Sequence, residues 1–164
     1  MNCRRWIILS LCLIVFACSP GSANSINQTL NITVASITEM SLTGSPVSLT
    51  VQTAAAGDEP DSSEQSMTYN ISSNRANFKL TAALNSAAPA DTTVEMQAAA
   101  PGGTLGGTSA GFVPLSTTAQ NVVSSLNPGY RTAITVTFRF TAPVISGIIA
   151  STSRDVTITL TAGP

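Results

Sequence analysis

Histidine is absent from the chain, and cysteine, tryptophan and lysine are rare and unevenly placed. Cys3, Cys12, Cys18 and the single tryptophan, Trp6, all lie within the first 18 residues, and Lys79 is the only lysine. Without histidine the chain lacks the usual base near neutral pH, and zinc and copper sites lose a common ligand. A cysteine nucleophile is excluded from everything after residue 18. We therefore expect no catalytic residues, no metal site and no cofactor.

Charge is scarce as well. Charged side chains make up 9% of the residues, and the chain of 164 residues has seven basic and eight acidic groups. A nucleic-acid-binding protein carries a surplus of basic groups on one face, and a coiled coil is rich in Glu, Lys and Arg. Neither description fits, and the abundance of Val, Ile and Leu excludes an acidic disordered chain. The sequence predicts a folded protein that is not an enzyme and binds no nucleic acid.

The first 23 residues have the three parts of a secretory signal peptide. Arg4 and Arg5 supply positive charge, residues 6–18 form an apolar run with one serine, and small residues follow up to Ala23. The run is shorter than the roughly 20 residues that a membrane-spanning helix needs. We expect cleavage after Ala23, which leaves residues 24–164 as a single domain that is secreted, at the cell surface or in the periplasm. This part has five basic and eight acidic side chains, a net charge of −3, and no cysteine for a disulfide.

A second processing route starts from the same segment. Residues 15–18 resemble a bacterial lipobox, in which the cysteine is acylated and becomes the mature N-terminus. On this route the signal ends at residue 17, and Cys18 tethers the protein to a membrane. Because one lipid chain anchors a protein only marginally, firm attachment requires more than one acyl chain. Membrane association is expected only through Cys18, and the sequence leaves the two routes open.

The rest of the chain is dominated by apolar residues at alternate positions. Because successive side chains of a strand point to opposite faces, this period indicates strands that are buried on one face. The apolar sets are Leu30, Ile32 and Val34; Val47, Leu49 and Val51; Met67, Tyr69 and Ile71; Phe78, Leu80, Ala82 and Leu84; Val94, Met96 and Ala98; Ile134, Val136, Phe138 and Phe140; and Val156, Ile158 and Leu160. Glycine and proline separate them, and no stretch shows a helical period. Seven to nine such strands predict an all-β fold, an antiparallel two-sheet β-sandwich of the immunoglobulin type.

The strand nearest the expected cleavage site has two interpretations. Its apolar residues Leu30, Ile32, Val34 and Ile37 form a nearly alternating row. Such a strand either completes a sheet of its own subunit or fills a groove in a neighbouring copy. In the second case main-chain hydrogen bonds give affinity, and the alternate side chains fix the register. These four residues are the candidate donor strand.

Two loops are candidates for ligand contacts. Residues 54–66 include Asp58, Glu59, Asp61 and Glu64, and they form either a weak calcium site or a solvated acidic turn. Residues 100–112 are rich in glycine, lack the lysine of a phosphate-binding loop and are expected to be flexible. Phe112, after the glycines, is the candidate contact residue of this loop. Tyr130 follows an Asn-Pro-Gly turn, which is typical of a tyrosine corner.

One region of the sequence resembles a known family. Residues 31–37 read Asn-Ile-Thr-Val-Ala-Ser-Ile and are followed by Leu42, by Gly-Ser-Pro at 44–46 and by Val-Ser-Leu-Thr at 47–50. This stretch, within residues 27–51, resembles the mature start of bacterial fimbrial major subunits of the CS1 type. The resemblance implies an exported immunoglobulin-like subunit whose N-terminal strand is donated to the next subunit.

These observations give two expectations for function. The first is an exported structural or adhesion-type subunit of the bacterial cell surface, whose partners are proteins, including other copies of itself. The alternative is a monomeric periplasmic or lipid-anchored module that binds a ligand through residues 54–66 and 100–112.

Overall fold

The computed structural model describes residues 28–44 and 47–163. The chain divides into two compact units, with the boundary after Thr33. The described part of the first unit is residues 28–33, which contain no helix or strand. All of the secondary structure described below belongs to the second unit.

The described part of the second unit contains nine strands. They are β1 (Thr38–Thr43), β2 (Ser63–Ser73), β3 (Phe78–Leu84), β4 (Thr93–Ala98), β5 (Gly106–Ser109), β6 (Val113–Pro114), β7 (Gln120–Leu126), β8 (Gly129–Thr141) and β9 (Val156–Ala162), with a short 3-10 helix at Val144–Ser146. One sheet has the order β1-β2-β8-β4-β6 and the other the order β5-β7-β3-β9. All of these pairings are antiparallel, and β7 packs against β4 and β6 of the opposite sheet. The prediction of an all-β, two-sheet antiparallel sandwich is confirmed.

Five of the strands lie where the alternating pattern predicts them: β2, β3, β4, β8 and β9. In β8, for example, Ile134, Val136 and Phe138 are buried, whereas the intervening Thr135 is exposed. The apolar residues of both sheets meet in one core, which satisfies the requirement that each sheet bury one face. The buried hydrophobic residues are Tyr69, Ile71, Phe78, Leu80, Ala82, Leu84, Met96, Ala98, Leu105, Leu115, Val122, Val123, Leu126, Ile134, Val136 and Phe138.

Two predicted strands are wrong. Residues 30–34 belong to no strand of the described chain. Residues 47–51 also join no ladder, although Val47 and Leu49 pack against the core and the exposure of side chains alternates along the segment. A hydrogen bond of 3.1 Å from the Thr50 amide to Ser63 Oγ joins this segment to β2. Alternating burial therefore reports contact with the core and does not guarantee a partner strand.

The strand order is that of an immunoglobulin-type sandwich in which the described residues leave one position unfilled. An immunoglobulin constant domain has strands A-B-E-D in one sheet and C-F-G in the other. Here β1-β2-β8-β4 corresponds to A-B-E-D, and β3 beside β9 corresponds to C beside F. The strands β5, β6 and β7 are additions between D and E. In the described chain no strand pairs with the second edge of β9, which is the position that G occupies.

The glycine-rich loop is held in place by hydrogen bonds and by a buried anchor. Gly102 and Gly106 exchange backbone hydrogen bonds of 2.9 and 3.1 Å, and the Asn127 amide donates to the Leu105 carbonyl at 2.9 Å. Leu105 is fully buried, and the loop lies so close to Gly129 that a Cβ there would come within 2.8 Å of Thr104 Oγ1. The flexible loop that the composition predicts is instead packed on the sandwich, with β5 as its continuation.

Candidate functional site

The candidate donor residues are exposed. The side chains of Leu30, Ile32 and Val34 are 76%, 78% and 76% exposed, and that of Ile37 is 46% exposed. Residues 28–37, here called the arm, contain no strand. The exposure of the first three, Leu30, Ile32 and Val34, is unfavourable by up to roughly 1.5–3 kcal/mol each relative to full burial. The structure therefore does not show residues 28–37 as a first strand paired within the same subunit.

Asn74 fixes the root of the arm. Its Oδ1 accepts a hydrogen bond of 2.8 Å from the Ile37 amide, and its Nδ2 donates one of 2.7 Å to the Ala35 carbonyl. The Asn74 amide also donates to the Ile37 carbonyl at 3.2 Å. Because the side-chain amide offers a donor and an acceptor as a peptide group does, it substitutes for one residue of a paired strand. The chain is thereby held from residue 35 onward, directly before β1.

The free edge of β9 leaves part of the core uncovered. Val156, Ile158 and Leu160 face the core but are only partly buried. On the opposing sheet β1 is also an edge strand, and its inward residue Leu42 is 46% exposed. An edge strand presents unpaired N–H and C=O groups, and here it lies beside apolar surface. An added strand makes backbone hydrogen bonds and apolar side-chain contacts, and partners for both are therefore available on this side of the sandwich.

A groove lined by both polar and apolar residues opens beside the start of β9. It has a volume of about 910 Å³ and lies between the unpaired segment 47–54 and the segment 149–156. Its lining includes apolar residues of the core and of the strand ends, namely Met67, Leu84, Val94, Phe138 and Phe140. The groove therefore continues the uncovered inner surface of β9 at one end of the sandwich.

The arm root and the groove lie at opposite ends of the sandwich. At one end, here called the arm end, Thr38 of β1 pairs with Ser73 of β2, next to the turns at 74–77 and 127–128. At the other, here called the groove end, Leu84 pairs with Val156, and the loops 85–92 and 142–155 lie there. The arm root and the groove are therefore separated by the length of the strands.

The Phe112 ring is in contact with an arginine side chain. The guanidinium carbon of Arg139 lies 3.8 Å from the centre of the Phe112 ring, a cation–π contact. Arg139 Nε donates a hydrogen bond of 2.7 Å to Glu95 Oε2, and Arg139 Nη1 lies 3.7 Å from Glu64 Oε1. The hydrogen bond to Glu95, and then the nearby negative charges, raise the pKa of Arg139. One face of the Phe112 ring is therefore covered, and the aromatic group is part of a cluster on the sheet surface.

In the acidic loop, Glu59 has a partner in addition to Glu64, which lies near Arg139. Glu59 Oε2 accepts a hydrogen bond of 2.7 Å from the Val144 amide, which joins the loop to the 3-10 helix. Within residues 28–44 and 47–163 the structure contains no group of three or more Asp, Glu, Cys or His side chains that could hold a metal ion. The same residues include no helix long and apolar enough to cross a bilayer. The processing sites Ala23 and Cys18 lie outside the described residues.

A second, shallow cleft lies at the arm end. It has a volume of about 550 Å³ and is lined by the glycine-rich loop at 102–104 and by residues 130–132 of β8. Tyr130 is 79% exposed beside it, so the tyrosine corner that the Asn-Pro-Gly turn predicts is wrong. That motif requires a covered tyrosine whose hydroxyl group bonds to the backbone.

Comparison of the chain with protein-family models and with curated proteins gives no match to either. Among the described residues, the features that bear on function are the arm, the edge of β9 and the groove. The sequence indicated the arm through its alternating apolar residues. It gave no sign of the free edge or the groove, because both depend on which distant strands pair.

Proposed function

We propose that this protein is an exported structural or adhesion-type subunit of the bacterial cell surface that associates by strand exchange. The arm of one copy adds to the free edge of β9 in the next copy. One observation carries this proposal: a sandwich of immunoglobulin order has an empty seventh strand position in its described part, while an alternating apolar arm makes no pairs. The resemblance of residues 27–51 to fimbrial subunits agrees with it.

The arm and the edge of β9 are chemically complementary. Leu30, Ile32 and Val34 project to one side of an extended chain and match the half-covered inner row of β9. Main-chain hydrogen bonds along β9 supply affinity in any sequence context, whereas the three side chains fix the register. Since the arm leaves one end and the groove lies at the other, repeated exchange builds an open chain of copies and not a closed dimer.

Export is the remaining part of the proposal, and it rests on the sequence alone. The segment from Arg4 to Ala23 has the order of a secretory signal, and Cys18 offers the lipid-anchored route. Mass measurement of the mature N-terminus distinguishes the two. A chain that begins at Asn24 supports cleavage, and an acylated Cys18 places the subunit on a membrane.

The strand-exchange proposal is tested by substitutions in the two phases of the arm. The double variant Ile32→Asp and Val34→Asp puts charge on the apolar phase, and we expect it to remain monomeric in sedimentation at concentrations where the unaltered protein associates. The matched control, Thr29→Asp and Thr33→Asp, adds the same charge to the polar phase and is expected to associate. Equal behaviour of the two variants contradicts strand exchange.

A further inference from the structure

The ionisable side chains of the described chain are sorted by the end of the sandwich at which they lie. The arm end carries three basic groups, Arg75, Lys79 and Arg131, and one acidic group, Glu39, a net charge of +2. The groove end carries seven acidic and two basic groups, a net charge of −5. The acidic groups there are Asp58, Glu59, Asp61, Glu64, Asp91, Glu95 and Asp155, and the basic ones are Arg139 and Arg154.

At both ends part of this charge is unpaired in the described structure. The side chains of Arg75 and Arg131 are exposed and form no ion pair or hydrogen bond with described residues. At the groove end the same holds for the carboxylates of Asp58, Asp61 and Asp91. The other groove-end charges already have partners, such as Arg139 for Glu95 and Asn85 for Asp155. Glu39 at the arm end is also exposed and has no ion pair with described residues, so the groups that remain available sum to a positive charge at the arm end and to a negative charge at the groove end.

Apolar surface accompanies the charge at each end. In the groove-end loop, Val144, Ile145 and Ile148 are largely exposed beside the groove. At the arm end, Tyr130 is exposed next to Arg131. An interface typically combines an apolar centre with a polar rim, and each end has both parts.

We propose that the groove end of one copy docks on the arm end of the next through this opposite charge, before the arm is inserted. The proposal rests on the strand exchange proposed above and adds the step that brings the copies together. Contact between two like ends places charges of the same sign opposite each other, which is unfavourable, whereas contact between unlike ends is attractive. The charge distribution therefore selects head-to-tail contact and speeds encounter, and the arm slows dissociation.

The test exchanges the signs of the two ends in the processed protein purified after export. Variant one carries Arg75→Glu and Arg131→Glu, which changes the arm end from +2 to −2. Variant two carries Asp58→Lys, Asp61→Lys and Asp91→Lys, which changes the groove end from −5 to +1. Each variant alone then has two ends of like sign, whereas a mixture again offers ends of unlike sign.

We expect the rate of assembly, followed by light scattering at low salt, to fall by about tenfold for each variant alone and to recover in the equimolar mixture. The rate for the unaltered protein should fall by about the same factor between 0.05 and 0.5 M salt, because the screening length shortens. Unchanged rates for both variants, or a mixture as slow as its components, overturn the proposal.

The arm variant Ile32→Asp and Val34→Asp separates this proposal from strand exchange. Loss of the arm contact is expected to raise the dissociation rate so far that assembled copies do not persist in sedimentation, whereas charge reversal acts on the assembly rate. Assembly that depends on charge but ignores the arm substitutions leaves charged docking intact and contradicts strand exchange. The opposite result contradicts charged docking alone.

Discussion

Tyr69 makes the core sensitive to alkaline pH. The side chain is 2% exposed, and its hydroxyl group donates a hydrogen bond of 2.9 Å to the Ala99 carbonyl. Burial raises the pKa of Tyr69 from 10.0 to about 12. The folded chain therefore holds the phenol proton more tightly than the unfolded chain does. Its contribution to stability is complete below pH 10 and is lost as the pH rises from 10 to 12.

We expect the free energy of unfolding to fall across that range by at most about 1.4 kcal/mol per pH unit on account of Tyr69. Urea unfolding of the unaltered protein and of Tyr69→Phe at several alkaline pH values measures this term as the difference between the two. The control, Tyr130→Phe, alters an exposed ring and should follow the unaltered protein. A pH dependence identical in all three proteins contradicts the assignment.

Gly107 is required by both space and backbone conformation. Its φ is +93°, and a Cβ there would lie 2.7 Å from Leu126 Cδ2 and 3.2 Å from Val123 Cγ1. Gly107→Ala is therefore expected to destabilise the fold by about 2–4 kcal/mol, from strain together with overpacking. Gly111 has a φ of +75° and open space around it, so Gly111→Ala measures strain alone, about 1–3 kcal/mol. Equal losses in thermal unfolding of the two variants would show that the contact with Leu126 is unimportant.

At the scale of elements, the arm is held by Asn74 and by little else that the structure describes. Asn74→Ala removes the two side-chain hydrogen bonds to Ala35 and Ile37. We expect faster hydrogen exchange at the Ile37 amide and a loss of about 0.5–1.5 kcal/mol in stability. Asn85→Ala is the matched control, because Asn85 bonds to Asp155 at the groove end. In the Asn85→Ala variant the Ile37 amide should exchange hydrogen at the rate of the unaltered protein. An equal increase of that exchange rate in both variants contradicts the role of Asn74.

The strands that the sequence predicts are those whose apolar residues alternate because every second side chain packs in the core. In β3 the apolar residues occupy every second position from Phe78 to Leu84, so period and position agree with the structure. β1 is missed because Met40 and Leu42 are its only apolar residues. β7 is missed because Val122 and Val123 are adjacent and both buried, at a place where the register with β3 shifts. β5 consists of Gly-Gly-Thr-Ser, and its pairing uses the backbone, which leaves no side-chain signature.

The candidate site likewise has one part that the sequence predicts and parts that it does not. The arm can be read from the sequence because its apolar row is local. The vacant position beside β9 cannot, because it exists only once Phe78 has paired with Ala162 and β9 has become an edge. The charge of the two ends is also not apparent from the sequence order, since Arg75 and Arg131 are distant in the chain and the pairing of β2 with β8 places them at the same end of the sandwich. Non-local pairing is what sequence periodicity does not encode.

At the scale of the whole molecule, the strand exchange proposed above predicts that stability depends on concentration. A bound arm stabilises the folded acceptor by mass action, and the gain grows with the concentration of arms relative to the dissociation constant. We expect the melting temperature of the unaltered protein to rise by several degrees as its concentration is raised a hundredfold above that constant, where the gain is about 2.7 kcal/mol. Differential scanning calorimetry over a dilution series measures this dependence.

The arm variant Ile32→Asp and Val34→Asp supplies the reference for that series. Its acceptor edge is unaltered, but its own arm cannot bury charged side chains beside β9 without a large desolvation cost. Its melting temperature should therefore be independent of concentration and equal to that of the unaltered protein at high dilution. Adding a synthetic peptide of residues 24–37 should restore the lost stability, since the edge remains open to an arm supplied separately. A peptide with aspartate at positions 32 and 34 should not restore it. Equal stabilisation by both peptides would show that binding to the edge of β9 does not depend on the apolar side chains of the arm.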